Sequence, residues 1–112
     1  MVKKTNNPQI GKTAVLAINT TQDLAVVYLR VGAKQFTRQW QSAGRIEDLL
    51  KQINLALKQA RLKPEDISEI KVNPGPGSFI GARGGVTVAN TLGWLLKVPV
   101  NGKKPPIAVK YQ

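Results

Sequence analysis

Residues 14–19, Ala-Val-Leu-Ala-Ile-Asn, form an almost unbroken apolar run of a length that suits a buried strand. Thr20 to Asp23 make a turn, and Leu24 to Leu29 form a second strand. Gly32 marks the next turn, and Lys34 to Trp40 alternate as a third strand does. Three consecutive strands with short turns predict an antiparallel meander. The period then changes. Between Arg45 and Ala60, the residues Ile46, Leu49, Leu50, Ile53 and Leu57 fall within one helical arc, with Ala56 and Ala60 beside them. Glu47 and Lys51 can pair at i,i+4 on the outer face. Leu55 projects from the polar side, either as an ordinary exposed leucine or as a contact point. Pro64 suits the first position of a short helical turn through Asp66. Glu69 to Val72 is then a short strand, Phe79 to Leu96 a second helix, and Val98 to Asn101 a fifth strand. The order β-β-β-α-β-α-β ends in two helical crossovers, which make the later strands parallel neighbours. It predicts an α/β domain with a single mixed five-stranded sheet and helices packed against it.

The second helix contains Gly81, Gly84, Gly85 and Gly93. A glycine inside a helix costs roughly 1 kcal/mol relative to alanine, so the set costs about 3–4 kcal/mol, a large share of a small domain's stability. A close neighbour must offset it. Gly81, Gly85, Ala89 and Gly93 recur every four residues and make a smooth stripe along which a sheet or another helix can approach. Ala82, Val86, Val88, Leu92, Leu95 and Leu96 complete that apolar half. The opposite half carries Arg83, Thr87, Asn90, Thr91 and Trp94. A tryptophan amid polar residues is either an interface anchor or a ring covered by the C-terminal tail.

Between the fourth strand and this helix lies Asn73-Pro-Gly-Pro-Gly-Ser-Phe-Ile-Gly81. Pro74 and Pro76 fix φ and each remove an N–H, while Gly75 and Gly77 allow angles that a side chain forbids. Ser78 is a good N-cap. A stiff elbow at a helix N-terminus favours an anion, although a strand-to-helix turn needs no ligand. The elbow is no P-loop, since no Gly-Lys-Ser/Thr closes it, and Gly75, Gly77 and Gly81 are spaced one residue too wide for a Rossmann fingerprint. Arg83, one turn into the helix, can hold a phosphate there, pair with Glu69, or be solvated.

Composition narrows the chemistry. The chain has 112 residues, enough for one compact domain. Seventeen Lys and Arg against six acids give +11, a balance that attracts polyanions and makes nucleic acid an expected neighbour. There is no cysteine and no histidine, which removes Cys nucleophiles, His general bases and thiolate or imidazole metal sites. The start Met1-Val-Lys-Lys-Thr-Asn-Asn-Pro lacks a secretory apolar stretch and no segment has the length of a membrane span, so a cytoplasmic protein with no membrane contact is expected.

Two segments resemble a known family. Ala14-Val-Leu-Ala-Ile-Asn-Thr-Thr21 is similar to the opening strand of TsaB-type proteins, also called YeaZ, and Gly75-Pro-Gly-Ser-Phe-Ile-Gly-Ala-Arg-Gly-Gly-Val86 resembles their signature Gly-Pro-Gly-Ser-Phe-Thr-Gly-Leu-Arg-Ile-Gly-Val. The resemblance covers about residues 13 to 102 and marks out a basic N-terminal tail (1–12), a TsaB-like N-terminal lobe (13–102) and a C-terminal tail (103–112) that can dock on it. It implies a ribonuclease H-like lobe of the actin and sugar-kinase fold, in a family with an older glycoprotease-like label. It also implies a non-catalytic paralogue and partner of the threonylcarbamoyl-transferase TsaD, acting with the ATPase TsaE in tRNA threonylcarbamoyladenosine modification. Members pair through helices of this lobe, with TsaD or with themselves. Three departures bear on function. Asn19 stands where the fold's first strand usually carries Asp, which weakens metal-assisted chemistry. Ile80 replaces the family's Thr. The chain also stops where members continue into a second lobe, which favours a scaffold over an enzyme.

The leading expectation is a non-catalytic scaffold or dimerisation subunit, docking on a TsaD-like protein or a second copy through Leu55, Gly81, Gly85, Thr87, Ala89, Asn90 and Trp94, with tRNA near its basic surface. The first alternative is a phosphate-binding half-domain for ATP or ADP, using Asn19, Gly75, Gly77, Ser78 and Arg83. The second is a direct RNA-binding module, for which five per cent aromatic residues supply few stacking platforms. No catalytic residue, metal or required cofactor is expected.

Overall fold

A computed structural model describes residues 14–41, 45–77 and 79–110; the expected tail over 1–12 and Ser78 lie outside the described residues. Strands β1 (Ala14–Asn19), β2 (Leu24–Val31) and β3 (Lys34–Gln41) are followed by helix α1 (Ile46–Ala60), a 3-10 turn (Pro64–Asp66), strand β4 (Ile67–Val72) and helix α2 (Phe79–Leu96). The sheet order is β3-β2-β1-β4. The meander is antiparallel, from Ala14 opposite Val31 to Asn19 opposite Val26 and from Leu24 opposite Gln41 to Val31 opposite Lys34, while β4 runs parallel to β1. The register of that parallel pair shifts between Ala14 and Val15. Ser68, the extra residue there, donates its hydroxyl to the Ala14 carbonyl at 3.0 Å.

The described sheet has four strands, not five. Residues 99–101 run beside β4, with Ile70 N–H on Pro99 O at 3.0 Å and Asn101 N–H on Ile70 O at 2.9 Å, but they form only an isolated bridge. Pro99 has no N–H with which to continue a ladder. Asn101 turns away and pairs with the Val72 peptide through its side chain instead, accepting from N–H at 2.8 Å and donating to C=O at 2.9 Å.

Both helices pack on one face of the sheet, α1 over β2 and β3 and α2 over β4 and β1. Alternation along the strands sends Ala14, Leu16 and Ile18, then Ala25, Val27 and Leu29, then Ile67, Ile70 and Val72 into one core. From α1 come Leu49, Ile53, Ala56 and Leu57, and from α2 Val86, Val88 and Ala89. Leu50 and Ile46, expected inside, are exposed, and so is Leu95. An arc drawn on a helical wheel is wider than the strip a sheet can cover. One other local expectation shifts, and one buried group stands out. Glu47 is engaged by Arg45 at 3.3 Å, and this pairing adds to a hydrogen bond from its own backbone in holding the carboxyl below the usual carboxylate range. Trp40 Nε1 is enclosed without a hydrogen-bond partner, although the ring packs against the core.

The glycine stripe lies on the sheet. A Cβ at Gly85 would collide with Thr20 Oγ1 and touch Ile18 and Val72, and one at Gly93 would sit 2.5 Å from Val100 Cγ2 and 3.2 Å from Val98 O. Ala89 between them is fully buried. Helix α2 ends in a 6→1 bond, Val98 N–H to Gly93 O at 3.0 Å, around Lys97 in the left-handed region.

Gly85→Ala should therefore destabilise the chain by about 1–3 kcal/mol through overpacking, despite a helix-propensity gain of about 1 kcal/mol. Thr91→Ala, on the exposed side of the same helix, should change stability by less than about 0.5 kcal/mol. Urea denaturation midpoints of the two variants check the contrast.

Candidate functional site

The elbow is built by three neighbours. Asn73 continues the parallel pairing with β1 through its N–H on Ile18 O at 2.9 Å, and its side chain accepts the Gly75 N–H at 3.0 Å, which turns the chain. Gly75 has φ +107 and lies so near Lys110 O that a Cβ would stand 2.7 Å from it. A Cβ on Gly77 would stand 2.6 Å from Thr21 Cβ.

The Asn19–Thr21 turn is the second wall. Asn19 Oδ1 accepts from Thr21 N–H at 3.0 Å and from Thr21 Oγ1 at 2.7 Å, and buried Thr20 donates its hydroxyl to Gly81 O at 2.5 Å. The third wall is a strap formed by the C-terminal segment from Ile107 to Lys110. Asn90 brackets Ile107, donating to its C=O and accepting from its N–H, each at 2.9 Å, and Lys110 N–H donates to Pro74 O at 2.8 Å. Ile107 and Val109 pack against the core on the way.

Asn19, Gly75 and Gly77 thus converge on one junction, but its polar groups are largely used to hold the fold. The Asn19 oxygen serves the turn, and the backbone of Pro74 serves the strap. Arg83 lies on the exposed side of α2. Among the described residues no group of three or more carboxylates, cysteines or histidines could hold a metal, and no helix is long and apolar enough to cross a membrane.

The residues expected at a partner interface divide. Gly81, Gly85 and Ala89 are buried within the chain, with Thr20, Ile18 and Val72 packed where a Cβ on Gly85 would lie. Asn90 is half-buried and engaged by the strap. Leu55 is half-buried, on the same flank as Gln52, which accepts from Arg38 Nε at 2.6 Å. Thr87 and Trp94 are exposed, Trp94 by 72%.

Three features go beyond what the residue pattern predicts. Thr20 looked like any turn residue, because its partner is 61 positions away. Asn101 ends the predicted fifth strand. Its Asn-Gly step is a hairpin signal, and Val100 and Lys103 do exchange backbone bonds at 2.8 and 3.0 Å around Asn101 and Gly102, both at positive φ. The third is a groove of about 650 Å³ at the C-terminal end of α2, floored by Gly93, Val98 and Pro105 and rimmed by Trp94, Lys97, Lys103 and Lys104. The run of lysines around Trp94 was its available signal.

Against known proteins, residues 41–102 match the family described as TsaD, tRNA N6-adenosine threonylcarbamoyltransferase. The chain is 43% identical over 49 residues to the tRNA threonylcarbamoyladenosine biosynthesis protein TsaB of Bacillus subtilis (strain 168), a match covering 44% of this chain and 21% of that protein. Its fold superposes on YeaZ from Pseudomonas aeruginosa with a TM-score of 0.75 at 24% identity, over 79% of this chain and 42% of that one. A second solved structure, titled an uncharacterized protein with similarity to peptidase YeaZ from Pseudomonas aeruginosa, gives a TM-score of 0.74 at 24% identity, over 79% and 41%. The chain belongs to the TsaD family, and it is similar in sequence to TsaB and in fold to YeaZ. It spans about a fifth of the curated relative and about two-fifths of the solved structures.

If the strap closes the elbow, Asn90→Ala should free it. Losing both bonds to Ile107 should lower amide protection at Ile107 and Lys110 by about 1–2 kcal/mol, measured by native-state hydrogen exchange, with amides of β1 unaffected.

Proposed function

We propose that this chain is a non-catalytic docking subunit of the tRNA threonylcarbamoyladenosine machinery, binding a TsaD-like protein or a second copy of itself in the cytoplasm. A TsaE-like ATPase and tRNA are the remaining components this reading places nearby, the latter drawn by the +11 charge. One observation carries it: paired helices with an outward apolar strip that the fold does not need. Ile46 and Leu50 project from α1, Leu50 with 47% of its surface exposed, at the end where α1 meets Gly81 and Gly84 of α2. Thr87 and Thr91 are exposed on α2. Small and apolar residues on two adjoining helices suit another helix pair, and family membership supplies the partner's class.

The reading as an ATP or ADP half-domain has less support. The Asn19 oxygen accepts two hydrogen bonds from Thr21 and the strap covers one side of Gly75, so little at the elbow is left to meet a phosphate.

Analytical ultracentrifugation should find a dimer, or a stable complex with a TsaD-like protein. Ile46→Glu combined with Leu50→Glu should weaken that association at least tenfold, since burying one such side chain contributes about 1.5–3 kcal/mol. A chain that stays monomeric and ignores the TsaD-like protein rejects the docking role.

A further inference from the structure

The groove at the end of α2 is apart from the docking strip and is built for a different partner. Its wall is Trp94, whose ring is largely open to solvent although the backbone beneath it is fixed by the Gly93–Val98 bond. Leu95, Val98, Pro99 and Pro105 give it an apolar lining. Gly93 is what brings the floor close: Val100 Cγ2 and Pro105 Cγ lie where its Cβ would be. The rim carries three cations, Lys97 from the helix cap and Lys103 and Lys104 from the hairpin, and among the described residues no carboxylate lines the cavity. Backbone pairing of Val100 with Lys103 and the clamp of Asn101 on Val72 hold the hairpin's lysines in place.

We infer that this groove binds single-stranded RNA, one base stacked on Trp94 over the apolar floor and the flanking phosphates on Lys97, Lys103 and Lys104. An aromatic face beside cations is the arrangement that holds unpaired bases without reading a sequence. The cavity volume lies within the roughly 300–1,000 Å³ typical of small-ligand pockets, which suits a nucleotide. An amphipathic helix would need a long groove with anchors at i, i+3, i+4 and i+7, whereas the lining here comes from the short span 93–105 around one exposed tryptophan. An acidic peptide would satisfy the lysines and leave Trp94 and the prolines without a matching surface. The inference gives the basic chain a defined contact point, and it stands on residues that the docking strip does not use.

The test is fluorescence anisotropy with a labelled single-stranded oligoadenylate of about six nucleotides, a span such sites commonly occupy, together with quenching of tryptophan emission. Binding should weaken with salt at a slope of log K on log salt near −2, about 0.7 for each of three lysines. Replacing Lys97, Lys103 and Lys104 together with Gln should flatten that slope by about two. Trp94→Ala should weaken binding roughly 5- to 150-fold and Trp94→Phe much less, with unchanged circular dichroism, because base stacking is worth about 1–3 kcal/mol. The variant carrying Ile46→Glu and Leu50→Glu should bind the RNA normally even if it no longer associates with protein, so the two proposals fail separately. Equal binding by wild type, Trp94→Ala and the lysine variant would assign RNA to the basic surface at large and overturn the site. So would quenching of Trp94 by polyglutamate or by raised protein concentration but not by RNA, which would give the groove to an acidic segment or a second copy.

Discussion

The approach of α2 to the sheet is the constraint on which the rest of this structure depends. Gly85 and Gly93, two turns apart, let the helix backbone come within reach of Thr20, Ile18 and Val72 at one end and Val100 at the other. The distance they set is too short for any larger residue, and it is what allows the Thr20 hydroxyl to reach Gly81 O. That hydrogen bond ties the first turn of the meander to the first turn of α2. The elbow, the Asn19–Thr21 turn and the strap converge there because the helix lies so low. A helix with a full set of side chains would stand off the sheet, and none of these contacts would close.

This dependence explains what could be read from residue order. The four-residue spacing of Gly81, Gly85, Ala89 and Gly93 announced a close neighbour because three glycines in a helix have no other compensation. It could not say whether the neighbour was the chain's own sheet or another molecule, and the sheet took it. The meander, both helices and the elbow followed from periods and breakers that are local in sequence. The wheel placed Leu50 and Leu95 inside because amphipathicity defines a half-cylinder, whereas burial depends on where the adjoining helix and strand end. Asn101 and Thr20 were opaque for a common reason: each acts on a backbone group far along the chain, and no pattern of nearby residues encodes such a pairing.

The same geometry separates what the elbow resembles from what it does. Gly75, Gly77 and the start of α2 retain the composition of an anion-binding junction, yet Asn73, Asn19 and Lys110 satisfy much of its backbone from within. In this chain the glycine-rich motif serves as architecture. Its free chemistry is displaced to the helix faces and to the opposite end of α2, where apolar surface and positive charge remain uncovered.

The way β4 is finished has a further effect on assembly. Pro99 offers no donor, and Asn101 uses its carboxamide to satisfy Val72 where a neighbouring strand would otherwise pair. The hairpin that follows then folds across the border of the sheet. Strand addition from another molecule is shut out on that side, so a continuous intermolecular sheet cannot grow there. Among the described strands, β3 is left as the edge at which another strand could pair.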